Sequence, residues 1–290
     1  MTTRRETVNE TVKKTGRKGS PNLPVITLLT DFGTADYFVG AVKGAILSVN
    51  PLAVIADITH EVPPQDLEAA AFTLLATYRT FPPGAIHVAI VDPGVGSTRR
   101  PIIVSAGEHY FVGPDNGIFT YIYDREPSPQ TFHVKAEKYF RQPVSTTFHG
   151  RDIFAPVAAR LSKGVKPKAF GPAVTDEVRL DIPLMPVVQE NGEIEGRIIH
   201  VDRFGNCITN ITRDLFKDEH ATLLVKEKPI DHFRNFYGED SGSPNELFAI
   251  WGSAGFLEIA VNNGSAALTL GAKRGEAVIL SHKGAQKAQK

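Results

Sequence analysis

Residues 25–92 alternate short apolar runs with amphipathic stretches, and this alternation limits the fold more than any other feature of the chain. The runs at 25–30, 54–58 and 85–91 have the length and β-branched content of buried strands. Between them, 36–49 carries Tyr37, Ala41, Val42, Ala45, Ile46 and Val49 at helical spacing, and 66–78 carries Leu67, Ala70, Ala71, Leu74, Leu75 and Tyr78 on one face. Asn50-Pro51 stops the first helix, and Pro82-Pro83-Gly84 resets the chain into the third strand. A β-α-β-α-β order predicts an α/β domain with a mainly parallel sheet wrapped by helices. Strands at 102–105, 110–112 and 131–134 extend it, with a short helix through Tyr123 and another at 153–161, where Pro156 fits only the first turn.

The pattern changes after residue 163, through a stretch rich in Pro, Gly and charge, into short β runs separated by turns. Asn191-Gly192 and Asn262-Asn263-Gly264-Ser265 read as hairpin turns, the latter of type I′. A smaller all-β, barrel-like domain is predicted here. The expected layout is a polar, basic, disordered leader over 1–24, an α/β domain over 25–165, a linker over 166–186 and a β-barrel domain over 187–290.

Acids and bases balance at 32 each, which argues against an extended nucleic-acid footprint. Cys207 is the single cysteine, so an internal disulfide and a cysteine-rich zinc site are excluded. The sequence has no apolar run of membrane-spanning length and no signal-peptide core at its start, so a cytoplasmic location is expected.

Two predicted strands end in an acid. Asp31 closes the first, and Asp92 closes the third within Asp92-Pro93-Gly94-Val95-Gly96-Ser97-Thr98-Arg99. In a parallel sheet both lie above the carboxyl ends, where such folds bind ligands. Each could also simply cap the element that follows. Arg99 is spaced to fold back on Asp92 as a charge-assisted donor, although paired surface arginines are commonly just solvated. His149 precedes a helix on the same edge, as a site residue or a packed one. Asp202-Arg203-Phe204-Gly205-Asn206 is a polar turn that fits a hairpin as well as a binding loop, and Trp251 defaults to core or interface packing. Dinucleotide, Walker and nucleophile-elbow signatures and HExxH are missing from the sequence. The residues alone leave the substrate open.

Five motifs together resemble one family: Thr30-Asp31-Phe32-Gly33, Asp92-Pro93-Gly94-Val95-Gly96-Ser97 followed by Arg99, Gly113-Pro114-Asp115-Asn116-Gly117, Phe148-His149-Gly150-Arg151-Asp152 and Phe204-Gly205-Asn206. Their order and spacing over 25–280 are similar to the S-adenosylmethionine hydroxide adenosyltransferases, relatives of fluorinase and chlorinase. The resemblance implies a homotrimer, with substrate lying between one subunit's N-terminal domain and a neighbour's C-terminal domain. It implies attack of water or hydroxide on ribose C5′, yielding adenosine and methionine with no metal or other cofactor. Asp92, Arg99 and His149 map to the catalytic triad, Asp31 to the ribose contact, Asp202 and Ser253 to methionine contacts, and Asn206 to an adenine contact. Halogenases have tyrosine in place of Asp92, which ranks hydroxide above halide as the nucleophile. They also carry an arginine where this chain has Ala254, so that methionine-carboxylate contact is unassigned. A non-catalytic S-adenosylmethionine or adenosine sensor and a metal-dependent phosphohydrolase are the competing readings from other classes.

Overall fold

The structure is a computed structural model that describes residues 25–216, 221–239 and 246–282. The leader expected over 1–24 lies outside the described residues. The N-terminal half opens with β1 (Val25–Thr30), α1 (Phe38–Val49), β2 (Val54–Thr59), α2 (Leu67–Thr77) and β3 (Ile86–Ile90). It continues through β4 (Pro101–Ala106), β5 (His109–Pro114), α3 (Thr120–Arg125), β6 (Gln130–His133), α4 (Ala155–Ser162) and β7 (Ala173–Val174).

These seven strands form one sheet in the order β2-β1-β3-β5-β4-β6-β7. The first four in that order run parallel. The antiparallel strands β4, β6 and β7 complete the edge. Strand β1 is buried on both faces because helices cover both. Ile26 and Leu28 meet Val42, Ile46 and Val157 of α1 and α4, while Leu29 meets Ala70 and Leu74 of α2. Each large aliphatic side chain so buried stabilises the fold by about 1.5–3 kcal/mol. The ladder pairs Thr30 with Ile90, so Asp31 and Asp92 emerge together at the carboxyl edge.

The C-terminal half comprises β8 (Val187–Val188), β9 (Ile194–Val201), β10 (Cys207–Thr212), β11 (Ala221–Val225), β12 (Lys228–Ile230), β13 (Phe233–Arg234), β14 (Leu247–Trp251), β15 (Phe256–Val261), α5 (Ala266–Leu270) and β16 (Ala277–His282). Their order, β12-β11-β16-β9-β10-β15-β14-β13 with β8 on β9, makes a nearly closed, barrel-like sheet. Ile198, Cys207, Ile211, Leu223, Leu257 and Val278 fill it. Cys207 is fully buried there, and burial pushes its thiol up to about 11. It is a small core residue and does not line the cleft described below.

Residues 166–186 cross from one half to the other and are tied to the first. Strand β7 adds to β6, Val178 N–H donates to Asp115 Oδ1 at 2.9 Å, and Leu180 N–H donates to Thr120 Oγ1 at 2.8 Å. The halves meet through α2, where Phe72 stacks on His200 at 4.6 Å and Arg274 bonds Asp66 and Glu68 at 3.0 and 2.8 Å.

The type I′ hairpin expected at Asn262-Asn263-Gly264-Ser265 does not form. Only Asn263 has a positive φ (55°), whereas a type I′ turn needs two consecutive residues there. Ser265 instead caps α5, its side chain accepting from Leu268 N–H, and the helix closes on Gly271 at φ 60°.

Candidate active site

The loop after β3 folds back as its spacing predicts. Arg99 Nε lies 3.0 Å from both Asp92 oxygens, and Arg99 Nη2 also donates to Asp92 Oδ2. Both side chains are almost wholly buried, at 9% and 6% exposure. Desolvating two charges is costly unless they are paired and hydrogen-bonded, and this pair is both. Arg99 also packs its guanidinium over Phe154, 5.3 Å from the ring centre. Its Nη1 is buried without a hydrogen-bond partner.

His149 arrives from a different segment. It immediately precedes a π-helical turn (Gly150–Phe154) that leads into α4. The turn is anchored by Asp152, fully buried, which accepts from Arg151 at 2.7 and 2.8 Å and from Ser145 N–H at 2.9 Å. Phe148 packs edge-on against Phe32 and Phe38. His149 Nδ1 then sits 2.7 Å from Arg99 Nη2. A guanidinium can only donate, so Nδ1 is the acceptor and the neutral ring carries its proton on Nε2. Burial, then the Arg99 charge, lowers the His149 pKa from its ordinary 6.5.

Asp31 stands on the same edge. Gln65 N–H holds its Oδ2 at 2.9 Å, and no described residue donates to Oδ1. The structure therefore joins Asp92, Arg99 and His149 directly and sets Asp31 beside them on the adjacent strand.

Asp202, Asn206 and Ser253 gather elsewhere, in a cleft of about 1600 Å³ formed by the C-terminal half with Phe72 and Ala76 of α2. Asp202 and Asn206 bracket the β9–β10 turn, and Ser253 with Ala254 lies in the β14–β15 turn. Asp31, Asp92, Arg99 and His149 do not line this cleft. The cleft also holds residues that sequence reasoning missed. Trp251, expected to pack in a core or interface, lines it beside Tyr237 and Glu258. Glu258 is only 6% exposed, accepts from Tyr237 OH at 3.1 Å, and has its carboxyl pKa raised by burial. An acid inside the apolar run Phe256–Val261 was the available signal. Among the described residues, no group of three or more His, Cys, Asp or Glu side chains is disposed to hold a metal ion.

Comparison with known proteins finds matches to both halves of the chain. Residues 26–171 match the model of the SAM hydroxide adenosyltransferase N-terminal domain, SAM being S-adenosylmethionine, and residues 196–279 match that of its C-terminal domain. A protein of Thermus thermophilus named (R)-S-adenosyl-L-methionine hydrolase is 38% identical over 262 residues, which covers 88% of this chain and 98% of that one. The crystal structure of an uncharacterized conserved protein from Thermotoga maritima superposes with a TM-score of 0.82 at 36% identity, covering 89% of this chain and all of the other. A fluorinase from an Actinoplanes strain is more distant, 27% identical over 216 residues that span 66% of this chain and 72% of the fluorinase. With both of its domains matched and the strand-edge residues assembled, the chain belongs to the SAM hydroxide adenosyltransferase family.

Proposed function

We propose that the protein hydrolyses S-adenosylmethionine to adenosine and L-methionine, with water attacking ribose C5′. The observation that carries this reading is the Asp92–Arg99–His149 constellation at the carboxyl edge of the sheet. The sulfonium is a ready leaving group, so the protein's task is to hold a water in line with the C5′–S bond and take its proton. As the new O–C5′ bond forms, the C5′–S electron pair passes to sulfur and leaves neutral methionine. The water proton goes to Asp92 and then to solvent.

The bonding around Arg99 supports a division of labour. His149 Nδ1 is occupied by Arg99, so its Nε2–H donates to the water oxygen and orients it. Arg99 has spare donor capacity at Nη1 to stabilise hydroxide character. Asp31 Oδ1 takes the ribose hydroxyls. In the cleft, Asn206 meets the adenine, while Asp202 and the Ser253 hydroxyl serve the methionine end, where Ala254 offers no charge.

This reading includes a homotrimer in which the strand-edge residues of one copy face the cleft of a neighbour. Its support is that Asp31, Asp92, Arg99 and His149 do not line the cleft that holds Asp202, Asn206 and Ser253. It also includes a cytoplasmic setting; no helix among the described residues is long and apolar enough to cross a membrane. Halide transfer is disfavoured because the Asp92 carboxylate would repel a halide where water must sit.

The test is turnover of S-adenosylmethionine by the purified chain, followed as adenosine and methionine in equal amounts. Asp92→Ala is expected to lower the rate by about 10²–10⁴-fold. Near-normal adenosine release by that variant would contradict the assignment, and intact S-adenosylmethionine after long incubation would favour a sensor.

A further inference from the structure

The β9–β10 turn fixes which way an amide faces. Asp202 Oδ1 accepts from the backbone N–H groups of Phe204 and Asn206 at 2.9 and 2.8 Å. Asp202 Oδ2 accepts from Asn206 Nδ2 at 2.9 Å. A carboxylate only accepts, so the amino side of the Asn206 amide must face Asp202. Turning the amide over would set two acceptor oxygens against each other. The Asn206 carbonyl oxygen therefore points away from Asp202, and no described residue donates to it. Asn206 is 6% exposed and lines the cleft, so its carbonyl oxygen is an acceptor that a ligand in the cleft can meet.

We propose that Asp202 is a positioning residue that sets base selectivity. By locking Asn206 it makes the cleft take a purine bearing a 6-amino group and reject one bearing a 6-oxo group. The proposal rests on the nucleoside-containing substrate argued above and deepens it. A 6-amino group donates to the Asn206 carbonyl while an adjacent ring nitrogen accepts from the remaining amide N–H, the paired contact that asparagine makes with adenine. A 6-oxo group brings an acceptor against an acceptor, and such a mismatch is expected to weaken binding about 10- to 100-fold.

Asp202→Asn separates this role from a merely structural one. The substitution keeps the size of the side chain and an oxygen for the two turn N–H groups. It replaces Oδ2 with a donor, so Asn206 is satisfied only by turning its carbonyl towards residue 202 and its amino group to the cleft. Selectivity should then reverse. Adenosine and inosine would be titrated calorimetrically into the full chain and into the variant. Neither contains the methionine moiety, so any contact of Asp202 with methionine drops out of the comparison.

Adenosine is expected to bind the unaltered chain tighter by about tenfold or more, and inosine to bind the D202N variant at least as tightly as adenosine. Asn206→Ala, which leaves the Asp202 turn bonds to backbone in place, should bind the two nucleosides equally. Parallel weakening of both nucleosides in D202N with the original ratio kept, an unchanged ratio in N206A, or no adenosine binding by the unaltered chain would each overturn the proposal. Cleavage of S-adenosylmethionine is measured separately. A chain that leaves S-adenosylmethionine intact yet shows the reversal would fail the hydrolase reading and retain this one.

Discussion

At Arg99 one guanidinium meets two partners of different kinds, a carboxylate and an imidazole. Because a guanidinium only donates, Arg99 dictates the tautomer of His149. Burial and the Arg99 charge lower the imidazole pKa, so His149 gains a second proton in more acid solution than an ordinary imidazole does. Protonation at Nδ1 would break the bond from Arg99 and place two cations together. Activity, measured as kcat/KM against pH, is expected to fall in acid with its limb centred below the 6.5 of an ordinary imidazole. An acidic limb centred at or above that value would contradict the geometry. Asp92, Arg99, His149 and Asp31 were legible because each follows a strand or precedes a helix at a predictable sheet edge. Trp251, Tyr237 and Glu258 were not, because the cleft draws on residues as far apart as Phe72 and Ser265. No local spacing encodes that meeting.

Among the elements, the loop from β3 to β4 is closed by one glycine. Gly96 has φ +78°, and a Cβ there would lie 2.3 Å from the carbonyl oxygen of Thr146. That contact brings the Asp92–Arg99 loop against the segment that carries His149. Gly96→Ala is expected to cost about 1–3 kcal/mol and to lower turnover by separating Arg99 from His149. Gly40→Ala in α1, where a Cβ meets nothing within 4 Å, should leave turnover unchanged and raise thermal stability slightly. Equal behaviour of the two variants would show that the loop contact is unimportant. The parallel strands could be read from their unbroken apolar runs, whereas the antiparallel edge of the same sheet could not. Strands β4 and β5 are joined by a tight turn at Gly107-Glu108 rather than by a helix, and the apolar runs look alike in either direction. The Asn262–Ser265 stretch went astray for a related reason: a helix cap and a hairpin turn draw on the same residue types.

For the whole molecule, the separation of the two groups of site residues is the feature that matters. The α2 contacts with His200 and Arg274 hold the halves of one chain together without bringing Asp92 to the cleft. If a neighbouring copy completes the site, two different inactive chains should rescue each other. Asp92→Ala lacks the proposed proton acceptor but has an open cleft. Ser253→Trp fills the cleft but retains the triad. Mixing the two after reversible dissociation should restore part of the turnover, and mixtures as inactive as their components would place the whole reaction within one chain. The two-domain layout itself was visible in the switch from helix-and-strand alternation to short β runs. The proposed trimer has no such local signature, since it would depend on surfaces that meet only between copies.

The most direct measurement is turnover of S-adenosylmethionine in ¹⁸O-labelled water with chloride present. The expected result is adenosine with ¹⁸O at the 5′-oxygen, formed together with methionine, and loss of that product in Asp92→Ala. Formation of 5′-chloroadenosine, or adenosine without the label, would contradict attack of a water held by Asp92, Arg99 and His149 on C5′.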